Sequence, residues 1–418
     1  MEFNKFKLKE LLQVNPRMTL KKGSKAKKIA MENIKEFQKK IDNFTIEEFK
    51  SGSKFQNGDT LLARITPCLE NGKTAYVDIL EDDEIAFGST EFFVLRPIDN
   101  KLDSQFLYYL FRTKKVREII IKSMTGTSGR QRAQKDSILE YECEIPTIEY
   151  QRKIAIILKN LDDKIEINKK IITNLEELSQ TLFKRWFVDF EFPDENGNPY
   201  KSSGGKMIDS ELGKIPNDWK ISNFQEITAF NTEIIDTNQL ENPLNYIGLE
   251  HISRNNIISI DRWENTSKVT GKKLKVCKGD ILFGKLRPYF QKVGISPIDG
   301  VVSTDIMIFT PSFKNVYYFI LLYLSQKNFI RYITSTSTGT RMPRTGKKQI
   351  NSYKIVLPTN LILTSFNTIL NRYTDLIKLL INENAKLIQL RDTLLPKLMS
   401  GEIEIPDDIE VNNDELSI

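Results

Sequence analysis

Residues 58–67 have the sequence GDTLLARITP, and residues 279–288 repeat its pattern as GDILFGKLRP. In each copy a Gly-Asp pair typical of a turn precedes a strand-like apolar run, and a proline closes the run. The copies begin 221 residues apart in a chain of 418, which is about half its length. We therefore interpret the chain as two copies of one plan, and this interpretation decides the predicted fold.

The neighbours of these two stretches repeat in the same order. The pairs are FFVLRP (92–97) with IMIFTP (306–311), QFLYYLFRTKKVREII (105–120) with VYYFILLYLSQKNFIRYI (316–333), ECEIP (142–146) with YKIVLP (353–358), and FKLKEL (6–11) with WKISNF (219–224). A repeat of this length indicates a duplicated domain, because solenoid repeats have periods of 20–50 residues.

Each half closes with a long helix that carries a heptad pattern. The seam positions are Ile154, Leu158, Leu161, Ile165, Asn168, Ile172, Leu175, Ser179 and Leu182 in the first helix, and Leu370, Tyr373, Ile377, Leu380, Asn384, Leu387, Arg391, Leu394 and Leu398 in the second. Steps that alternate four and three predict a coiled-coil seam. If the helices pair antiparallel, Asn168 faces Asn384, and one polar layer fixes the register. The alternative is that each helix packs on its own domain.

The predicted fold class is α+β, with two similar domains joined by an antiparallel two-helix coiled coil in a pseudo-twofold internal repeat. The predicted boundaries are 1–149 for the first domain, 150–187 for its helix, 188–217 for a linker, 218–360 for the second domain, 361–400 for its helix and 401–418 for an acidic tail.

Composition favours a cytoplasmic protein with a polyanionic partner. The net charge is +6, and the seven acids and absent bases of 401–418 leave +13 on residues 1–400. Such a basic body fits nucleic acid, although solubility alone would also explain it. No apolar run reaches the roughly 18 residues of a membrane helix. Three separated cysteines without a CxxC motif suggest reduced thiols.

The residues of common catalytic and metal sites are scarce. The chain has a single histidine, His251, and a lone histidine is more often a structural residue than a ligand. The scattered cysteines fit no common zinc spacing. The segment GTRMPRTGKK (339–348) has six residues between its glycines and Lys where a P-loop has Ser or Thr, so we reject it. We expect a binding protein without catalytic residues, metal or cofactor of its own.

Two Gly-Thr loops with trailing arginines, TGTSGRQR (125–132) and TGTRMPRTG (338–346), are the first candidate contacts for DNA. Glycine permits close approach to the phosphate backbone, hydroxyl and N–H groups can meet phosphate oxygens, and arginine can neutralise phosphates or bind guanine. The candidates are Thr125, Gly126, Thr127, Arg130 and Arg132 in the first loop, and Thr338, Gly339, Thr340, Arg341 and Arg344 in the second. The alternative is a solvated turn with ordinary surface arginines.

Further candidates for DNA contact flank the repeated strands. They are Lys21 and Lys22 in a basic run with Lys25, Lys27 and Lys28, Asn71 and Lys73 in a Glu-Asn-Gly-Lys turn, Arg287 and Tyr289 after the second Gly-Asp strand, and Lys272 and Lys273, which with Lys275 we expect to parallel the basic run. A protein with two related halves recognises two half-sites on one duplex. Because these flanking residues differ between the halves, we expect an asymmetric, bipartite target with unread base pairs between.

The chain resembles the specificity subunit of type I restriction–modification systems over nearly its whole length. The resemblance rests on SQTLFKRWFVDFEFP (179–193), LGKIPNDWK (212–220), LLPKLMSGEI (394–403) and IPTIEYQRKIAIIL (145–158). LPTNLILTSFNTIL (357–370) lacks the acidic–Gln pair that the family has at this helix entry.

The resemblance implies a subunit without catalytic residues whose two target-recognition domains bind double-stranded DNA. It implies two methyltransferase subunits, which use S-adenosylmethionine and dock on the helices, and two restriction subunits, which use ATP and Mg²⁺. Two rival hypotheses stay open: a DNA-targeting adaptor of another defence or modification enzyme, and a coiled-coil scaffold that does not bind DNA.

Overall fold

The computed structural model describes residues 3–254 and 256–406. The chain forms two compact units. The first comprises Met1–Glu166 and Ala385–Ile418, and the second comprises Ile167–Asn384. Each long helix therefore contributes one part to each unit.

The first unit is built on two four-stranded sheets. One has the strand order β2-β9-β6-β7 and the other β4-β3-β8-β5, while β1 pairs with β10. The strands are β1 (Phe3–Lys7), β2 (Leu12–Val14), β3 (Lys25–Ile29), β4 (Thr45–Glu48), β5 (Ser53–Phe55), β6 (Thr60–Ala63), β7 (Thr74–Tyr76), β8 (Ala86–Gly88), β9 (Phe92–Pro97) and β10 (Glu142–Pro146).

The apolar run at 58–67 forms a strand that is buried on both faces. On β6, Leu61 belongs to the core shared with the second sheet, and its neighbour Leu62 belongs to the core beneath the helices. The same alternation sends Val94 and Phe93 of β9 to the two cores. Successive side chains of a strand point to opposite faces, so a continuous apolar run is what a central, doubly covered strand requires.

Helices α1 (Ser104–Arg112), α2 (Lys114–Lys122) and α3 (Lys135–Leu139) cover one face of the first unit. Asp103 caps α1 by accepting a hydrogen bond from the Phe106 amide at 2.8 Å. Such a cap satisfies one of the orphan amides at the start of a helix. Strand β10 then leads directly into the long helix α4 (Ile148–Phe183), which continues into a π-helical turn.

The second unit has the same plan. Its sheets have the orders β14-β22-β19-β20 and β15-β18-β21-β16-β17, with additional pairs β11–β12 and β13–β23. The strands are β11 (Met207–Ser210), β12 (Gly213–Pro216), β13 (Lys220–Asn223), β14 (Thr228–Asn231), β15 (Ile234–Asp236), β16 (Asn245–Ile247), β17 (Glu264–Asn265), β18 (Lys272–Val276), β19 (Ile281–Gly284), β20 (Val293–Ile295), β21 (Gly300–Val302), β22 (Ile306–Pro311) and β23 (Lys354–Leu357). Its helices are α5 (Tyr317–Tyr323), α6 (Lys327–Ser335), α7 (Lys347–Asn351) and the long α8 (Asn360–Ser400).

Strand register confirms the duplication and corrects one correspondence. In the first unit β5 pairs antiparallel with β8, placing Phe55 opposite Ala86, and in the second β18 places Val276 opposite Gly300. Strand β18, which carries Lys272 and Lys273, is therefore the counterpart of β5. The prediction that these lysines parallel the basic run was wrong, because the basic strand β3 pairs parallel with β8 as β16 pairs with β21.

The long helices pair antiparallel within both units, as the predicted fold class requires. In the second unit, the buried side chain of Asn168 donates from Nδ2 to Oδ1 of Asn384 at 3.0 Å, and Ile172 and Leu380 share one core. In the first unit, Leu158 lies in the core with Leu395 and Leu398, and Leu394 packs against it.

One layer of the seam holds a buried ion pair. The Arg391 guanidinium donates from Nη1 to Oδ1 of Asp162 at 2.6 Å, and both side chains are about nine-tenths or more buried. A buried guanidinium needs a paired carboxylate, and the residue next to Leu161 supplies it.

The two helix entries use different chemistry at the same place. In α4, Gln151 accepts from the Asp103 amide at 2.9 Å and donates to the carbonyl of Pro146 at 3.0 Å. At the entry of α8, the apolar Leu363 is 1% exposed within the second unit's core. The missing glutamine is thus replaced by hydrophobic packing.

The remaining predicted segments contain more structure than a linker and a tail. Residues 188–217, predicted as a linker, hold the β11–β12 hairpin and the buried Phe192, which stacks on Trp219 at 4.9 Å. In the predicted acidic tail, the Ile405 amide donates to the Tyr150 hydroxyl at 2.5 Å. Residues 407–418 of that tail lie outside the described residues.

Within the described residues, no helix is both long and apolar enough to span a membrane.

Candidate nucleic-acid interface

The two Gly-Thr loops have the same backbone frame. In the first, Thr125 and Arg132 exchange backbone hydrogen bonds of 3.0 and 2.9 Å, and in the second Thr338 and Arg344 exchange bonds of 3.0 and 2.8 Å. Bridges from Arg132 to Ile65 and from Arg344 to Leu286 hold each loop against the end of its Gly-Asp strand. Within each half, the Gly-Thr loop therefore lies against the end of the Gly-Asp strand.

Glycine is required at the start of each loop. Gly126 has a φ of 128° and Gly339 a φ of 97°, in the region that side chains disfavour. A Cβ atom at these positions would lie 3.0 Å from the Arg130 carbonyl oxygen and 3.1 Å from that of Met342. The hydroxyl-bearing neighbours Thr127 and Thr340 are exposed, as a surface that meets DNA requires.

The candidate arginines fall into two classes. Arg130 and Arg341 are exposed at the loop tips. Arg132 instead pairs with Glu91 at 2.7 Å, and Arg344 pairs with Asp305 at 3.0 Å. The hydrogen bonds from Arg132 hold the pKa of Glu91 below its usual range, so the carboxylate is charged at neutral pH.

The second unit places an aromatic and cationic turn beside its loop. Arg287 and Gln291 both have left-handed backbone, with φ of 50° and 52°, and between them Pro288–Phe290 forms a 3₁₀ turn. Arg287 donates its amide to the Pro343 carbonyl at 2.7 Å, and Tyr289 is 44% exposed. Residues held in sparsely populated conformations cluster at functional sites, which favours this turn as a contact surface.

An arginine missed by the sequence analysis completes that turn. The Arg254 guanidinium lies 3.6 Å from the ring centroid of Phe290. Stacking of this kind fixes a flexible cation above an aromatic face. The sequence did not reveal this pair, because the two residues lie in different loops and meet only in the folded chain.

In the first unit the corresponding turn carries the candidates Asn71 and Lys73. Asn71 is exposed, whereas Lys73 donates from Nζ to the Met31 carbonyl at 2.9 Å. Lys292 donates in the same way to the carbonyl of Leu249 in the second unit. Met31 and Leu249 each begin a 3₁₀ turn, Met31–Asn33 and Leu249–His251. Lys73 therefore has a duplicated role in fixing the turn, which its position next to a strand did not reveal.

Half of the eight lysines in the two basic runs are engaged within their own unit. Lys27 pairs with Glu84 at 2.8 Å and Lys28 with Glu47 at 2.9 Å. Lys273 donates to the Thr270 carbonyl at 2.7 Å. The exposed members are Lys21, Lys22, Lys25 and Lys272. Lys21 and Lys22 precede β3, on the sheet that does not carry the Gly-Thr loop.

The carboxylates Glu91 and Asp305 were missed although the sequence carries a signal for them. Each closes a short motif before an apolar strand, STE at 89–91 and STD at 303–305. In both units the serine hydroxyl accepts from the amide of the acidic residue, at 3.1 and 3.2 Å. Comparing the two halves at these positions would have identified the pair.

The lone histidine has a structural role. His251 accepts a hydrogen bond at Nδ1 from the Gly248 amide at 2.9 Å. Asn33 makes the same kind of bond in the first unit, where its side chain accepts from the Ala30 amide at 2.7 Å. Among the residues that the structure describes, no cluster of histidine, cysteine and acidic side chains could hold a metal ion.

A second candidate surface lies on the long helices. Within the second unit several large apolar side chains of α4 and α8 are exposed: Ile167 (52%), Leu178 (52%), Leu376 (41%) and Leu379 (61%). Apolar side chains on an otherwise charged helix surface are typical of a protein interaction site.

Comparison with known proteins matches each half of the chain separately. A family model described as type I restriction modification DNA specificity domain matches residues 1–177 and again residues 216–389. These two stretches coincide with the two halves of the internal repeat.

Named relatives extend over most of the chain. It is 28% identical over 316 residues to the type I restriction enzyme MjaIX specificity subunit of Methanocaldococcus jannaschii, covering 72% of this chain and 69% of the relative. It is 25% identical over 342 residues to the type I restriction enzyme EcoDI specificity subunit of Escherichia coli, covering 74% and 72%. The crystal structure of the type I restriction–modification S subunit from M. genitalium is similar with a TM-score of 0.54 at 16% identity, covering 97% of both chains.

Proposed function

The chain belongs to the family of type I restriction–modification DNA specificity domains, and on this premise we propose that its two units recognise the two unlike halves of a bipartite DNA target. The observation that supports the proposal most directly is the duplicated Gly-Thr frame with different surroundings. A shared frame places both units on the duplex in a similar way, and unlike neighbours recognise unlike bases.

The proposal divides the contacts between backbone and bases. The exposed Arg130 and Arg341, with the threonines of the loops, approach phosphates, because exposed cations at glycine turns suit that role. The turns that differ between the units, around Asn71 and around Arg287 and Tyr289, enter a groove. The exposed Lys21, Lys22 and Lys272 add a weaker attraction for the duplex.

The helix pair serves the partner subunits in this proposal. The exposed leucines of α8 and their neighbours on α4 give an adenine-N6 methyltransferase subunit an apolar surface to dock on. Restriction subunits join through the methyltransferase subunits, two copies of each. S-adenosylmethionine, ATP and Mg²⁺ belong to those partners, and the assembled complex acts on DNA in the cytoplasm.

The experiment is a gel-shift titration of the full-length chain with a random-sequence duplex at increasing salt. The logarithm of the binding constant should fall with the logarithm of salt concentration by about 0.9 for each phosphate contacted. The double substitution Arg130→Gln and Arg341→Gln should weaken binding and reduce this slope by about 2.

The matched control removes one positive charge from each unit at a distance from the loops. Lys5 and Lys214 are 78% and 71% exposed and lie in strands β1 and β12. The double substitution Lys5→Gln and Lys214→Gln should leave the salt slope unchanged. Equal behaviour of the two double variants would remove the loop arginines from the contact surface, and absence of duplex binding by the wild type would refute the proposal.

A further inference from the structure

The ion pair between Arg132 and Glu91 holds one specific edge of the guanidinium. Arg132 donates from Nε to both carboxylate oxygens at 3.0 and 3.1 Å, and from Nη2 to Oε1 at 2.7 Å. The bond therefore lies on the Nε side of the group. The other edge, formed by the outer N–H groups of Nη1 and Nη2, points away from the carboxylate.

The second unit uses the same two donor nitrogens, although Glu91 also accepts from Nε of Arg64 at 3.2 Å. Arg344 donates from Nε to Oδ1 of Asp305 at 3.0 Å and from Nη2 to Oδ2 at 3.4 Å. The arginine side chains are 44% and 48% exposed, while their carboxylate partners are 22% and 26% exposed. Each unit thus has a half-exposed arginine whose guanidinium forms an ion pair with a more buried acid.

The backbone around the pair is also the same in both units. Arg64 and Lys285 donate their amides to the carbonyls of Glu91 and Asp305, at 3.0 and 2.9 Å. The carbonyls of Arg64 and Lys285 accept from the residues that follow Arg132 and Arg344, at 2.8 and 3.1 Å. The backbones of the acid and the arginine are therefore fixed to one strand end, and the ion pair sets the direction of the guanidinium.

Stability alone gives a weak reason for repeating such a pair. Exposed ion pairs contribute little to folding, commonly between zero and about 1 kcal/mol. Holding the Nε side has a different consequence, since the remaining fork of two N–H groups matches the O6 and N7 acceptors of guanine. The neighbouring carboxylate also offsets the positive charge with which the arginine would attract a phosphate. The pair therefore suits a base edge better than the DNA backbone.

We infer that Glu91 and Asp305 are positioning residues that hold Arg132 and Arg344 for contact with one guanine edge in each half of the DNA target. The inference rests on the proposed function and makes it more specific, because it assigns one shared base contact to each unit. It leaves Arg130 and Arg341 to the phosphates.

The test selects duplexes from a random-sequence pool with the full-length chain and compares the sequences that each variant enriches. The variants Glu91→Gln and Asp305→Asn keep size and lose the charge that holds the guanidinium. Glu91→Gln should reduce the preference for guanine at one position of one half-site by roughly tenfold, and Asp305→Asn should do so in the other half-site. Arg132→Lys keeps the charge but loses the fork, and should relax the same position as Glu91→Gln.

The matched controls break an exposed ion pair elsewhere in each unit. Glu144 pairs with Lys5 at 3.5 Å in the first unit, and Glu211 pairs with Lys354 at 2.5 Å in the second. Glu144→Gln and Glu211→Gln should enrich the wild-type sequences. Thermal unfolding of every variant within a few degrees of the wild type would separate a lost contact from a lost fold.

Three results decide the matter against the inference. Unchanged base preferences in Glu91→Gln and Arg132→Lys would overturn it. A uniform loss of affinity across all sequences, with a smaller salt slope, would assign the arginines to phosphates and overturn it as well. If the wild type enriches no sequence at all, the proposed function itself fails, whereas enrichment of two half-sites by the wild type leaves only the positioning role at stake.

Discussion

Asn168 donates a hydrogen bond from Nδ2 to Oδ1 of Asn384 across 3.0 Å, where the two long helices pair in the second unit. The same Nδ2 donates to Glu383 at 2.7 Å. Asn168 is fully buried and Asn384 is 8% exposed. Between apolar layers, a polar layer of this kind stabilises one register at some cost in free energy.

The first prediction concerns this polar layer. Asn384→Ala should lower the free energy of unfolding by about 1–3 kcal/mol, because it removes an acceptor from a buried amide. The double substitution Asn168→Leu and Asn384→Leu should be neutral or stabilising, since apolar residues fit the seam. Denaturant unfolding of both variants measures the difference. A double variant less stable than Asn384→Ala would contradict the assigned role.

The second prediction concerns the ion pair in the first unit's part of the helix pair. Asp162 accepts from Arg391 at 2.6 Å and from the Tyr109 hydroxyl at 2.7 Å, and all three side chains are buried. Arg391→Met should cost about 3–5 kcal/mol, because it leaves a buried carboxylate without its cation. Adding Asp162→Leu to that variant should recover most of the loss.

Denaturant unfolding of the single and double variants provides the measurement. The exposed i,i+4 pair Lys114–Glu118, with 90% and 51% exposed side chains, is the control, and Lys114→Met should change stability by less than about 1 kcal/mol. A similar small loss for Arg391→Met would show that the buried pair contributes no more than a surface one.

The sequence predicted the elements whose signal is local or periodic. The heptad spacing located both long helices, and the asparagine in each seam placed Asn168 opposite Asn384 because a seam position is fixed by spacing alone. The repeat also gave the order of the strands that carry it, β6, β9 and β10 in the first half. Strand pairing did not follow from the repeat, since β18 joins its sheet through non-local hydrogen bonds that leave no period in the sequence.

The buried acids of the long helices were not predicted. Glu176 accepts from the Ile257 amide at 3.0 Å and from the Ser259 amide at 2.9 Å, and burial raises its pKa. In the sequence, Glu176 and Asp162 are ordinary charges on a helix, and such charges are usually solvated. Their burial follows from how each domain packs on its helix, which the helix sequence does not contain. The candidate site was predicted at its loops. Its acids share a Ser-Thr-acid motif in the sequence, but only the folded chain shows which arginines they hold.

The third prediction is a pH dependence centred on Lys39. The residue is 4% exposed, and its ammonium lies 5.2–5.8 Å from the ring centroids of Tyr76, Tyr108 and Tyr109. Burial lowers the pKa of Lys39 from 10.5 to about 8, although Asp162 opposes the shift. Asp163 and Asp78 also oppose it, and Lys159 adds to it.

The sign of the effect follows from which state holds the proton. Below pH 8 Lys39 is charged in both states, and its burial destabilises the fold in full. Between pH 8 and 10.5 the unfolded chain keeps the proton that the folded chain has lost, so this group's contribution to stability rises with pH. The stability advantage of Lys39→Met over the wild type should therefore shrink by about 3 kcal/mol between pH 7 and 10.5.

Denaturant unfolding of both proteins at several pH values checks this prediction. The tyrosines around Lys39 titrate in both proteins and largely cancel in the difference. Lys40→Met changes the neighbouring, less buried lysine and serves as the control. It should show a smaller change with pH than Lys39→Met. A constant difference for Lys39→Met would mean that the ammonium is as well solvated as in the unfolded chain.

The fourth prediction tests the helix surface that the proposal gives to the methyltransferase subunit. Leu376 and Leu379 are 41% and 61% exposed on α8, so charged residues there should fold normally. Leu376→Glu with Leu379→Glu should abolish co-purification with a co-expressed methyltransferase subunit, because a carboxylate facing an apolar partner surface must be desolvated. Ile208→Glu with Leu212→Glu, at residues 37% and 46% exposed in the β11–β12 hairpin of the same unit, is the matched control and should retain the partner. Duplex binding by the isolated chain should survive both double substitutions, since neither lies in the Gly-Thr frame. Retention of the partner by the α8 variant would exclude this face as the docking surface and leave the DNA-recognition proposal untouched.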